Sequence, residues 1–163
     1  MSTKILIHQI YISSGHDFKG RYGKSRLNHN TTSVDSVECV KGRGLVGDRY
    51  FDFKEDYKGQ LSLIALEDIR AMESDLGLEV PDLREFRRNI VVSGVDLNGL
   101  VGKDFRLGDV ELRGVEQCKP CPWMDESIGA GAHAALENRG GLRCRILSSG
   151  ILGKGELSLE PSV

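Results

Sequence analysis

Short apolar runs separated by glycine-rich polar stretches dominate this chain, and their spacing predicts strands far more often than helices. Residues 4–12 form an isoleucine-rich run of strand length. Residues 13–33 are polar, with Gly15, Gly20 and Gly23 among scattered His, Lys and Arg. That is too long for a plain connection, and loops of this length are usually functional or mobile. The Gly15-to-Asn30 part is expected to lid a pocket or to make a dimer contact. Residues 34–41 read as a second strand, and Gly42, Gly44 and the Gly47-Asp48 pair punctuate a loop. Arg49-Tyr50-Phe51-Asp52-Phe53 is aromatic and is expected to pack over a site. Leu61 to Ala65 is a compact buried strand.

One helix is clear. From Glu67 to Leu76, the apolar residues Ile69, Met72 and Leu76 share a face, and Gly77 suits the C-terminal cap. Pro81 ends that segment, and Arg84 to Phe86 is a short turn. Residues 89–93 read as a strand, with a turn region from Val95 to Leu100. Residues 103–107 and 109–117 form a hairpin about Gly108-Asp109. A second helix is expected over 127–138, weakened by Gly129 and Gly131. Residues 142–148 and 154–159 are expected to close the chain as a strand pair. Many short strands, few helices and frequent glycine turns predict a mainly β, barrel-like single domain.

Composition narrows the function classes. The length, 163 residues, suits one domain with its own core. A formal net charge of -2 provides no global field for nucleic acid or an anionic membrane. Local clusters exist at Lys19, Arg21, Lys24 and Arg26, and at Arg84, Arg87 and Arg88. The first residues carry no signal-peptide pattern, and no stretch reaches the ~20 apolar residues of a membrane helix. The expectation is a cytoplasmic protein without membrane or nucleic-acid partners. Its four cysteines are then reduced thiols. Neither glycine-rich phosphate loop nor serine-hydrolase elbow occurs. His8, His16, His29 and His133 show no ligand spacing.

The chemistry concentrates at Cys118-Lys119-Pro120-Cys121. Three readings are open. The pair is a zinc half-site completed by His133 or Cys144, a dithiol redox motif, or one functional thiolate with a neighbour. The redox motif belongs at a helix N-terminus after a parallel strand, whereas this pair follows a hairpin. A thiolate is a soft ligand, suited to a soft metal centre or to persulfide sulfur. Arg87 and Asn89, just before a strand, could supply donors to an anion in the same pocket. Cys39 and Cys144 are expected to be core residues.

The order Arg87-x-Asn89, Gly94-x-Asp96, Gly102 to Gly108-Asp109, then Cys118-x-Pro120-Cys121 resembles the MOSC domain, named for the C-terminal part of molybdenum cofactor sulfurase. Gly47-Asp48, Gln60-Leu61-Ser62-Leu63 and Gly140-Gly141-Leu142-Arg143 resemble further blocks of that family, so the likeness runs from about Val37 to about Ser158. It implies a MOSC-type β-barrel that binds molybdenum cofactor (molybdopterin). Cys121 would be the essential thiolate, ligating molybdenum or carrying a transferred sulfur. Arg87 and Asn89 would anchor the pterin phosphate side. Asp48, Lys58, Gln60, Ser62, Cys118 and Arg143 are further candidates for cofactor contact. Arg88 stands where the family often has proline and is expected to face solvent. Tyr50 stands where the family often has histidine two residues after Gly-Asp. Two function classes follow from the resemblance. One is a molybdenum-dependent oxidoreductase that reduces N-hydroxylated small molecules with a separate electron-donor protein. The other is a sulfur carrier loaded by a separate pyridoxal-phosphate cysteine desulfurase.

Overall fold

The computed structural model describes residues 2–15 and 31–162. The expected lid or dimer contact, which falls mostly on 16–30, lies outside them. Among the described residues the strands are β1 (Thr3–Ser13), β2 (Thr31–Ser33), β3 (Ser36–Val40), β4 (Gly44–Leu45), β5 (Leu61–Ala65), β6 (Ile90–Ser93), β7 (Asp104–Leu107), β8 (Val110–Gln117), β9 (Leu142–Ile146), β10 (Gly150–Gly153) and β11 (Gly155–Pro161). Three helices accompany them: α1 (Leu66–Leu76), α2 (Trp123–Ser127) and α3 (Ala132–Ala135).

Seven strands close into a barrel in the order β11-β7-β8-β9-β5-β6-β1, because β11 also pairs with β1. Closure satisfies the main-chain groups that open edges would expose. The short β2 extends β1, and a separate sheet, β10-β3-β4, adds Val37, Cys39, Leu45 and Leu152 to the barrel core.

Every barrel pairing is antiparallel except β5 with β6. A parallel pair needs a crossover, and α1 supplies it. This accounts for the apolar character of both strands. Leu61, Leu63 and Ala65 of β5, with Ile90 and Val92 of β6, face the barrel interior. Ile64 and Val91 point the other way, into a second core with Ile69 and Met72 of α1 and Phe86. Strands covered on both faces read as continuous apolar runs. The helix ends as expected, with Gly77 in the left-handed conformation. Among the described residues no helix is long and apolar enough to cross a membrane.

Two expectations are corrected. The helix expected over 127–138 is instead two short ones, α2 and α3, because Gly129 (φ 155°) and Gly131 (φ 91°) adopt backbone angles no helix contains. The terminal strands do not pair with each other. β9 lies between β8 and β5, while β11 joins β1 and β7. Between them β10 leaves for the smaller sheet. Local pattern marks strands but does not say which edges a barrel must join.

Candidate functional site

The site begins with a row of residues across the outer face of the barrel. Register sets Glu116 of β8 opposite Arg143 of β9, and Arg143 opposite Ser62 of β5. Leu63 pairs with Ile90, which brings Asn89 alongside Ser62. Strand alternation does the rest: Leu61, Leu63, Leu142 and Cys144 go into the core, so Ser62 and Arg143 face outward.

Over this row lies a cleft of about 130 Å³. Ser62, Gly59 and Arg143 form its floor, and Arg87 and Arg88 enter from the start of β6. Arg49, Tyr50 and Tyr57 come from the loop after β4. Cys118, Cys121 and Met124 come from the segment between β8 and α2. Four arginines and two cysteines thus line one small space.

The thiol pair is asymmetric. Cys118 is 3% exposed and donates its amide to the Gly141 carbonyl at 2.8 Å, while Cys121 is half-buried. Gly140 permits this approach, since a Cβ there would stand 2.0 Å from the Cys118 carbonyl oxygen. Lys119 and Pro120 turn away and line a different hollow with His133. Neither companion reading of the pair gains support. Among the described residues no group of three His, Cys, Asp or Glu side chains could hold a metal ion. Strand β8 is antiparallel to both its neighbours, unlike the parallel strand that precedes a dithiol redox motif.

Cys39 and Cys144 are fully buried, as expected. Burial pushes the Cys39 thiol up to about 12 and, with the nearby Cys118, raises Cys144 well above the ordinary thiol value. The thiolate is the reacting form, so both are inert while the protein is folded. Iodoacetamide is expected to label Cys121 of the native protein within minutes, and Cys39 and Cys144 only on unfolding. Peptide mass mapping before and after denaturant checks this; equal labelling rates would remove the core assignment.

The four arginines differ in how they are held. Arg88 donates Nε to the Gly140 carbonyl at 2.8 Å and Nη1 to the Phe86 carbonyl at 3.2 Å. It lines the cleft, which corrects the expectation that it faces solvent. The reason is Arg87, whose φ of 62° breaks strand alternation just before β6 and lets consecutive arginines reach one space. Arg87 itself donates to Thr31 Oγ1 at 3.4 Å. Arg49 has a side chain only 10% exposed. It sits over the Tyr50 ring at 4.7 Å and reaches Asp48 at 3.4 Å, and its buried Nε has no partner among the described residues. Arg143 meets Glu116 at 3.5 Å, but Glu116 lies closer to Lys58, at 2.8 Å. Burial pulls the Arg143 guanidinium down, yet Cys118, Tyr57, Tyr50 and Glu116 together hold it above its usual value, so it stays charged. Tyr57, stacked on Tyr50 at 5.1 Å, is raised by burial and then by Tyr50, and remains a neutral phenol.

Three expected contact residues stand behind the wall of the cleft. Asn89, 3% exposed, accepts from the Ser62 amide at 3.0 Å and the Ser62 hydroxyl at 3.1 Å, and donates to the Tyr11 carbonyl at 3.1 Å. It splices β5, β6 and β1 and orients Ser62. Asp48 accepts from the Ser13 amide at 3.0 Å and the Tyr50 amide at 3.3 Å, shaping the loop that carries Arg49. Gln60 accepts from the Ile146 amide at 2.8 Å, and its buried Nε2 has no partner among the described residues. Lys58 does not line the cleft and pairs with Glu116. Arg87, Ser62, Cys118, Cys121 and Arg143, all expected to contact a cofactor, line the cleft together. Sequence reasoning did not single out Tyr57 or Met124 as site residues and left Arg49 within a general aromatic run. The stacked pair of tyrosines, seven positions apart, shows why: no local spacing announces it.

Comparison with known proteins is consistent with this geometry. A family model described as MOSC domain matches residues 41–157. Among curated proteins none matches. Among solved structures, YuaD from Bacillus subtilis aligns with a TM-score of 0.75 at 17% identity, covering 100% of this chain and 99% of that one. YiiM from Geobacillus stearothermophilus aligns at 0.69 and 15% identity, covering 98% and 75%. YiiM from Escherichia coli aligns at 0.60 and 17%, covering 96% and 70%. At such identities the structural likeness carries the fold alone.

Proposed function

The chain belongs to the MOSC domain family, a family associated with molybdenum cofactor, and from that premise we propose that its outer cleft binds this cofactor with Cys121 as the thiolate partner of the metal. The observation that carries the reading is the meeting of Arg49, Arg87, Arg88 and Arg143 around a half-buried Cys121. The cofactor is a strongly anionic pterin whose own dithiolene holds molybdenum. That suits a cleft rich in guanidinium and poor in metal ligands, where the protein need supply no more than one soft donor. The Arg49 Nε, buried and without a protein partner among the described residues, leaves that guanidinium incompletely hydrogen-bonded in the cleft wall. At about 130 Å³ the cleft falls below the ~300–1,000 Å³ of sites that enclose a whole small molecule. The cofactor would therefore enter by one end and extend beyond it.

Each residue then has a task. Arg143 and Arg49 neutralise anionic oxygens, and Arg88, tied to two carbonyls, adds fixed positive charge. Ser62, oriented by Asn89, offers a hydroxyl from the floor. Tyr50 and Tyr57 form an aromatic side wall. When bound, the cofactor would supply two-electron oxygen-atom chemistry, which the side chains alone cannot perform. The activity favoured is reduction of N-hydroxylated small molecules, with electrons from a separate donor protein. A sulfur carrier is the second reading, favoured by the reach of Cys121 beside a second thiol.

Metal analysis of protein from a cofactor-sufficient host tests the proposal. Stoichiometric molybdenum is expected, and none from a host that cannot make the cofactor. Metal-free protein from both hosts would end the cofactor reading.

A further inference from the structure

The cleft is also the right size and charge for a smaller guest. We propose that it is a thiosulfate site, in which Cys121 takes the outer sulfur of the anion and releases sulfite. The proposal rests on the same reading of Cys121 and the arginine cleft as the functional site, and it names the sulfur donor class for the carrier function.

Three observations converge. The first is Arg49: a guanidinium 10% exposed, with a buried unpartnered Nε and an ion pair no shorter than 3.4 Å, lines the cleft that holds the thiol. An arginine in a cleft wall whose hydrogen bonding is incomplete points to a ligand that brings oxygens. The second is Arg143, whose contact with Glu116 at 3.5 Å is loose because Lys58 holds that carboxylate at 2.8 Å. The third is volume. About 130 Å³ admits a tetrahedral oxoanion whole.

The lining then selects among oxoanions. Phosphoester chemistry at a thiol needs an acid to protonate the departing alkoxide. Among the described residues the cleft wall presents neither carboxyl nor imidazole, and besides its thiols the proton donors it offers are the phenols of Tyr50 and Tyr57, a far weaker class of acid. Sulfite is stable as a dianion and departs without a proton. The Cys121 thiolate attacks the terminal sulfur, a new S–S bond forms, the S–S bond of thiosulfate breaks, and its electron pair leaves with sulfite. The cysteine becomes a persulfide, and no outside oxidant or reductant is consumed. Guanidinium groups on the sulfonate oxygens hold the anion against the thiolate it would otherwise repel.

The test uses the reduced wild-type chain, freed of small thiols and mixed with thiosulfate. The expected result is a burst of sulfite stoichiometric with protein and a Cys121 peptide heavier by one sulfur atom. Cys121→Ser should give neither, and Arg143→Met should need at least about ten-fold more thiosulfate for half the burst, one charge-assisted contact being lost. Should Arg143→Met misfold, the wild type alone still decides. Anionic iodoacetate should alkylate Cys121 faster relative to neutral iodoacetamide than it does free cysteine, and sulfate should slow it. No sulfite and no added sulfur at saturating thiosulfate overturns the proposal, as does a burst indifferent to Arg143→Met in folded protein. Molybdenum content is read separately. A metal-loaded protein inert to thiosulfate leaves the cofactor reading standing, and a metal-free protein that releases sulfite removes that reading and keeps this one.

Discussion

Cys121→Ser is expected to purify without molybdenum while melting within a degree or two of the wild type. The two halves of this result have separate causes. Replacing sulfur with oxygen removes the soft donor proposed for the metal, and a serine hydroxyl stays protonated and hard at neutral pH. The arginines would still attract the anionic cofactor, so residual weak pterin binding is compatible with loss of tightly held metal. The fold should not notice. Cys121 is half-buried rather than in the core, and its carbonyl accepts the Met124 amide at 2.9 Å, a bond that does not depend on the side chain. Substitutions away from core and network positions usually stay within about 0.5 kcal/mol. Metal analysis and a thermal melt on one preparation read both halves. Full molybdenum in the variant would mean that Cys121 is not the metal's partner.

Asn89→Ala is expected to show the opposite profile, with a large loss of stability and reduced ligand binding only as its consequence. The side chain makes three hydrogen bonds, two from Ser62 and one to the Tyr11 carbonyl. Truncation leaves the buried Tyr11 carbonyl of β1 and the part-buried Ser62 amide and hydroxyl of β5 without these partners, at roughly 1–3 kcal/mol for each orphaned group. The expected total is about 3–5 kcal/mol, a large part of the ~5–15 kcal/mol that holds a domain folded. Urea denaturation measures it directly. Asn89→Asp should not rescue, because it replaces the donor facing the Tyr11 carbonyl with an acceptor and buries a charge. A loss below about 1 kcal/mol would show that water or relaxation replaces the splice.

These two residues show how far a motif can be read. Arg-x-Asn was legible as a block, and the expectation drawn from it was a shared role in holding an anion. What the block could not disclose is that its two members do different things, Arg87 in the cleft and Asn89 behind it. The left-handed turn at Arg87 (φ 62°) also brings in Arg88, and no residue preference signals that conformation at an arginine. Arg49 was equally hidden. Its place depends on Asp48, which fixes the loop through the Ser13 amide, 35 positions away.

Strand content, the crossover helix with its glycine cap, the hairpin about Gly108-Asp109 and the buried cysteines were all legible in the chain, because each follows from residues adjacent in sequence. Periodicity, turn propensity and thiol burial are local quantities. Pairing is not. Whether β9 and β11 are neighbours depends on how seven strands close a ring, and only the whole set of hydrogen-bond partners decides that. The cleft depends on the same closure. Glu116, Arg143 and Ser62 come from three strands and Asn89 from the position just before a fourth, and their row exists because register aligns them. The sequence by itself thus determined the β-rich domain and the thiol and arginine on which a function could rest. Only the tertiary structure decided which charges face that thiol, since convergence of distant side chains is set by strand register and loop anchoring, which no local pattern encodes.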